Sequence, residues 1–168
     1  MTKLRGVSGT QRPGEVRVSS VVFLPHAPSS VSDVRKRLCS ELRAAGVYEE
    51  VADDAAVIIS ELISNALRHA RPLPSGDIRV SWAHEGDLIQ LAVSDGGSMT
   101  EPRRTRAALS SLGGRGLSIV EALSDGWGVS HEADTTTVWA ELRAVQPSDN
   151  GHAVPLMQPL RIAFDQSA

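Results

Sequence analysis

Apolar and polar positions along the chain repeat with two periods, near two and near 3.6, and these mark out its elements. Residues 15–24 are rich in valine and close at Pro25, which predicts a strand at a sheet edge or ending at a bend. Past Pro28, Ser29 or Ser30 is placed to cap a helix whose apolar positions Val31, Val34, Leu38 and Leu42 recur every three or four residues and stop at Gly46. The longest periodic stretch is 49–70, with Val51, Ala55, Ile58, Leu62 and Ala66 flanked by Ile59, Ile63 and Leu67. So broad an apolar face predicts a largely buried helix. Acidic Glu49, Glu50, Asp53 and Asp54 open it and Arg68 and Arg71 close it, as the helix dipole favours, before Pro72 and Pro74 stop it.

Residues 77–82 and 88–93 alternate at period two and are joined through His84-Glu85-Gly86-Asp87, which predicts an antiparallel hairpin. No apolar period survives across 95–114, a stretch of glycines and arginines that reads as a long loop. A glycine-rich turn then opens a helix with Leu117, Ile119, Val120 and Leu123 on one face. Residues 127–130 and 136–142 form a closing hairpin around Ala133-Asp134. Trp82, Trp127 and Trp139 all fall in these strands, where sheet packing is the expected role. Residues 1–14 are a polar tail, and 144–168 form a second tail, with Pro147, Pro155 and Pro159 among apolar residues, that either docks or stays loose. Between the tails, 15–143 is one domain. Its strands are linked by hairpins more than by crossovers, so the predicted class is α+β: a two-layer sandwich with helices on one face of a mixed, mainly antiparallel sheet.

Composition narrows the function. A chain of 168 residues, 41% hydrophobic and 22% charged, is long enough for one core and too apolar for wholesale disorder. Its net charge of −3 supplies no global basic field, which argues against direct nucleic-acid binding or an anionic membrane surface. Neither a membrane-length apolar run nor the apolar stretch of a signal peptide occurs, and the single cysteine, Cys39, can form no internal disulfide. Together these features lead us to expect a cytoplasmic protein in which Cys39 fills core space.

Common phosphate and hydrolase motifs are missing. Neither lysine follows a Gly-x-x-x-x-Gly run, no Gly-x-Ser-x-Gly elbow occurs, and His131-Glu132 lacks the second histidine of a zinc-protease motif. What remains is a set of polar residues in unusual places. On the long helix Glu61, Asn65 and Arg68 lie at i, i+4 and i+7, one stripe of an otherwise apolar helix, where a carboxylate and an amide can hold a water and a hard cation. His69 lies off that stripe and reads as a structural hydrogen-bonding group. Asp95 ends a strand directly before Gly96-Gly97, where its carboxylate can accept from a ligand amine. From Glu101 to Arg115 there are four arginines and one glutamate, and Gly114 and Gly116 open a helix whose N–H groups attract phosphate.

In that order these pieces resemble the nucleotide-binding boxes of the GHKL ATPase superfamily, over about residues 15–143. The run Glu61-Leu62-Ile63-Ser64-Asn65-Ala66-Leu67-Arg68-His69-Ala70 is similar to the family's N box, Val93-Ser94-Asp95-Gly96-Gly97 to its first glycine box, and Gly114-Arg115-Gly116-Leu117-Ser118-Ile119-Val120 to its second. Met99 stands where the usual Asp-x-Gly-x-Gly ends in glycine. The resemblance implies a Bergerat-type sandwich, ATP and Mg2+ as cofactors, Glu61 as general base and Asn65 as magnesium ligand. It further implies that Asp95, with Gly97, reads adenine and that Gly114, Gly116 and Leu117 cradle phosphates with Arg115 at the terminal one. Within the superfamily the chain is most similar to bacterial anti-sigma factors of the serine-kinase type, including those of filamentous actinobacteria. Such proteins bind a sigma factor, phosphorylate an anti-anti-sigma partner, and often pair as homodimers. Two rivals to a kinase stay open at this point: a non-catalytic switch that uses ATP to set its affinity for a protein partner, and a relative that binds no nucleotide.

Overall fold

The computed structural model describes residues 18–98 and 115–144. The 1–14 tail, the second tail beyond Ala144 and most of the 95–114 loop, with Met99 and Gly114, lie outside the described residues. In chain order the elements are β1 (Val18–Pro25), α1 (Ser30–Ala44), α2 (Glu49–His69), β2 (Asp77–Glu85), β3 (Leu88–Asp95), α3 (Arg115–Leu123), β4 (Gly126–Glu132) and β5 (Thr135–Arg143). The strands make one sheet in the order β1-β2-β3-β5-β4. Every pairing in it is antiparallel, so the described sheet contains no parallel pair. The expected two-layer α+β sandwich is the fold that forms.

Period-two alternation on the strands selects the covered face. Ile78, Val80 and Trp82 of β2, Ile89, Leu91 and Val93 of β3, and Val138, Ala140 and Leu142 of β5 are buried and join one cluster with the helices. Into this cluster α1 inserts Val34, Leu38 and Leu42, and α2 inserts Ile58, Ile59, Leu62 and Ile63. The central helix is α2, packed against α1, α3, β3 and β5. Its position explains its broad apolar face: it meets helices on both flanks and the sheet below. Between α1 and α2 the chain reverses through Gly46, whose φ is +83. There the Gly46 N–H donates to the Arg43 carbonyl and the Val47 N–H to the Leu42 carbonyl, each at 3.0 Å, closing a Schellman motif. The β2–β3 hairpin is tighter than the sequence implied, for His84 and Glu85 continue the strand and Glu85 pairs with Leu88.

Helical spacing sets Glu41 beside Arg37 among the charged residues on the outer side of α1, but it turns toward the sheet. Its Oε2 accepts from Ser20 Oγ at 2.7 Å and from the Trp82 indole N–H at 2.8 Å, and its Oε1 accepts from Arg37 Nε at 2.8 Å. The cause is Trp82, which is 1% exposed and whose N–H needs an acceptor inside the fold. The Arg37 guanidinium also lies over the Trp82 ring, 5.6 Å from its centroid. Burial would raise the Glu41 carboxyl, but the three hydrogen bonds outweigh it and hold the pKa below the ordinary glutamate value. The folded-state pKa is therefore depressed, so this contribution is present above the unfolded value and fades as pH falls through the folded one. We predict that Glu41→Ala lowers stability at neutral pH by about 1–2 kcal/mol in urea unfolding, as expected for stranding a buried donor. The difference from wild type should shrink in acid; a constant difference would place the loss in packing instead.

Cys39, expected in the core, is half-buried between α1 and α2, its Sγ 3.7 Å from the Ala52 carbonyl. It borders a cleft of about 600 Å³ lined by Arg35, Lys36, Arg43 and Asp53 among others. The tryptophans pack as expected, Trp82 and Trp127 on the core and Trp139 against Gly128. Among the described residues no helix is long and apolar enough to cross a membrane.

Candidate functional site

The first glycine motif lies at the end of the sheet where β3 finishes. Alternation along β3 puts Asp95 on the same face as Ile89, Leu91 and Val93, toward the helices, and leaves it 4% exposed. Its Oδ1 accepts the Gly97 N–H at 2.8 Å. That bond closes the turn, and it needs Gly97 at φ +85, a conformation that side chains disfavour. Oδ2 accepts from no described residue. Burial pushes the Asp95 carboxyl above its ordinary pKa, against the pull of the Gly97 N–H and of the His26 and His131 rings nearby.

The turn after Asp95 leans on the exit of α2. Gly96 N–H donates to the Arg71 carbonyl at 2.8 Å, Arg71 N–H donates to the Gly97 carbonyl at 2.9 Å, and Ala70 bridges Ser98. A Cβ at Gly96 would run into the Pro72 carbonyl oxygen, so only glycine permits this approach. The sequence reads Gly96-Gly97 as part of a glycine box; the second chain segment lying against it is not visible there. The doublet itself was the available signal, because one glycine suffices for a turn and the other marks close approach.

Glu61 and Asn65 sit one helical turn apart on α2, both half-exposed on a helix whose neighbours Leu62, Ile63 and Ala66 are buried. Arg68 and His69 are exposed in the last turn, and the His69 side chain makes no hydrogen bond to a described residue. α2, which carries Glu61 and Asn65, packs on β3, and its exit at Ala70 and Arg71 is tied to the Asp95 turn. The second glycine box is described from Arg115 onward: Arg115 and Gly116 open α3, and Leu117 is 8% exposed. α3 packs beside α2, so its N-terminus belongs to the same side of the sandwich as the other two boxes.

No cluster of three or more metal-ligating His, Cys, Asp or Glu side chains occurs among the described residues. A magnesium here would rest on Asn65, waters and phosphate oxygens, the manner in which this ion is usually held beside a nucleotide. The donor set fits such a complex. A buried carboxylate whose Oδ2 accepts from no described residue suits an exocyclic amine.

Comparison with known proteins agrees. Residues 24–142 match the family described as histidine kinase-like ATPase domain. Serine-protein kinase RsbW of Listeria monocytogenes is 31% identical over 114 residues, 61% of this chain and 73% of that protein. The protein of the same name from Staphylococcus epidermidis is 26% identical over 147 residues, 79% of this chain and 92% of that one. In fold, the chain is similar to the crystal structure of the RsbU and RsbW domains of Rv1364c from Mycobacterium tuberculosis. The TM-score is 0.58 at 24% identity, over 75% of this chain and 32% of that longer one. The chain belongs to the histidine kinase-like ATPase domain family, on the branch of the RsbW serine-protein kinases.

Proposed function

We propose that this protein is an ATP- and magnesium-dependent serine/threonine protein kinase of the cytoplasm that phosphorylates an anti-anti-sigma partner and sequesters a sigma factor. Residues 15–143 form its ATP-binding domain. The observation that carries this reading is Asp95, a buried carboxylate whose Oδ2 accepts from no described residue and whose turn is tied by backbone hydrogen bonds to the exit of the helix bearing Glu61 and Asn65.

In this reading Asp95 accepts from the adenine amino group, and its burial makes that bond selective, because a base offering an acceptor there would leave the carboxylate unpaired. Gly97 supplies the turn that aims it. Asn65 binds magnesium through its amide oxygen, and the ion neutralises phosphate charge as phosphoryl transfer proceeds. Glu61, four residues earlier on the same stripe, takes the proton of the attacking hydroxyl. Gly114, Gly116 and Leu117 present backbone N–H groups to the phosphates at the start of α3, and Arg115 stabilises the transferred group.

Met99 in place of the last glycine of the first box favours a second reading, a switch that binds ATP without transferring phosphate. One experiment separates the two. Incubated with γ-labelled ATP, magnesium and an anti-anti-sigma protein, the chain should transfer label to a serine or threonine of that protein. Nucleotide binding without label transfer to any such partner would favour the switch, and no binding at millimolar Mg-ATP would end both readings.

A further inference from the structure

His26 lies in the connection between β1 and α1, outside every motif of the nucleotide site, yet it reaches that site. Its half-buried ring places Nε2 3.1 Å from the carbonyl oxygen of Ala70, 44 residues away. A carbonyl only accepts, so Nε2 carries the proton and donates. Ala70 is where α2 ends: its backbone is extended, φ −120 and ψ 159, while its N–H still reaches back to the Ala66 carbonyl. From there outward the chain serves the Asp95 turn, through the Ala70–Ser98 bridge and the paired hydrogen bonds of Arg71 with Gly96 and Gly97. One imidazole thus holds the joint between the helix that carries Glu61 and Asn65 and the turn that carries Asp95.

Resting on the ATP reading above, we infer that His26 is a positioning residue of the nucleotide site. By gripping the Ala70 carbonyl it keeps the α2 exit in one conformation, so that Asp95 and Asn65 meet the base and the phosphates of the same nucleotide. Without that donor the Ala70 carbonyl turns to water, and the three-residue segment supporting the glycine turn gains freedom that ATP must remove on binding.

The test is calorimetry of Mg-ATP with the full chain and three variants. His26→Ala and His26→Phe, the second filling the ring's space without a donor, should each weaken ATP binding about three- to tenfold, the size of a lost hydrogen bond. His26→Gln, whose amide donates to the same carbonyl, should recover most of the affinity. Melting temperatures measured without nucleotide separate the roles, since a purely structural His26 would lower them and leave the dissociation constant of the folded protein unchanged. Wild-type affinity in His26→Phe, or a Gln variant no better than the Phe variant, would overturn the inference. Wild-type protein that binds no ATP would overturn the ATP reading itself, and that result needs no variant.

Discussion

Glu61→Ala should bind ATP within a few fold of the wild-type affinity and transfer phosphate about 10²–10⁴ times more slowly, the usual worth of a positioned general base. The separation of binding from chemistry follows from where the residue sits. Glu61 is half-exposed on α2, so its removal opens no core cavity, and alanine is the better helix former. Asp95 and the Ala70–Arg71 joint lie elsewhere and remain intact, so the base-reading end of the site is untouched. Single-turnover transfer of labelled phosphate to an anti-anti-sigma protein, run beside calorimetry, measures the two quantities apart. Equal transfer rates in variant and wild type would remove Glu61 from the chemistry, and a parallel loss of affinity and rate would assign it to nucleotide binding.

The parts of this molecule that were legible in sequence are those governed by periodicity. The α2 stripe from Ala55 to Ala66 could only be a buried helix, and the alternation of Ile78, Val80 and Trp82 with that of Ile89, Leu91 and Val93 could only be a hairpin with one covered face. Motif spacing placed Glu61 and Asn65 on the long helix and Asp95 at a strand end, and those elements pack together with the helix exit tied to the turn after Asp95. Contacts made by backbone atoms across long separations were not legible. The Pro72 carbonyl that excludes a side chain at Gly96, and the Ala70 carbonyl that takes the His26 proton, belong to residues whose types say nothing of those bonds. Glu41 escapes sequence reading for a related reason. Helical spacing puts it beside surface charges, and only the three-dimensional position of the Trp82 indole shows which way it turns.

Asp95→Asn should raise the stability of the nucleotide-free protein while weakening ATP binding by about 10- to 100-fold, the cost of losing a hydrogen bond to a charged group. The two effects have opposite signs because one carboxylate is buried for the ligand's sake. At 4% exposure the ionised group is desolvated, and its folded-state pKa lies above the ordinary aspartate value of 3.8. A group whose folded pKa is raised binds its proton more readily in the native state, so ionised Asp95 costs stability at neutral pH and the cost is relieved as pH falls through the folded value. Asparagine removes that cost and still offers an oxygen to the Gly97 N–H. The gain in melting temperature should therefore be largest above the folded pKa and vanish by the ordinary value, where wild-type Asp95 is itself protonated. Nucleotide reverses the ranking: saturating Mg-ATP raises the wild-type melting temperature by mass action and raises that of the variant less. Thermal unfolding with and without ATP across this pH range checks both halves. An apo variant less stable than wild type would show that Asp95 serves the fold, and an undiminished ATP shift would remove it from adenine recognition.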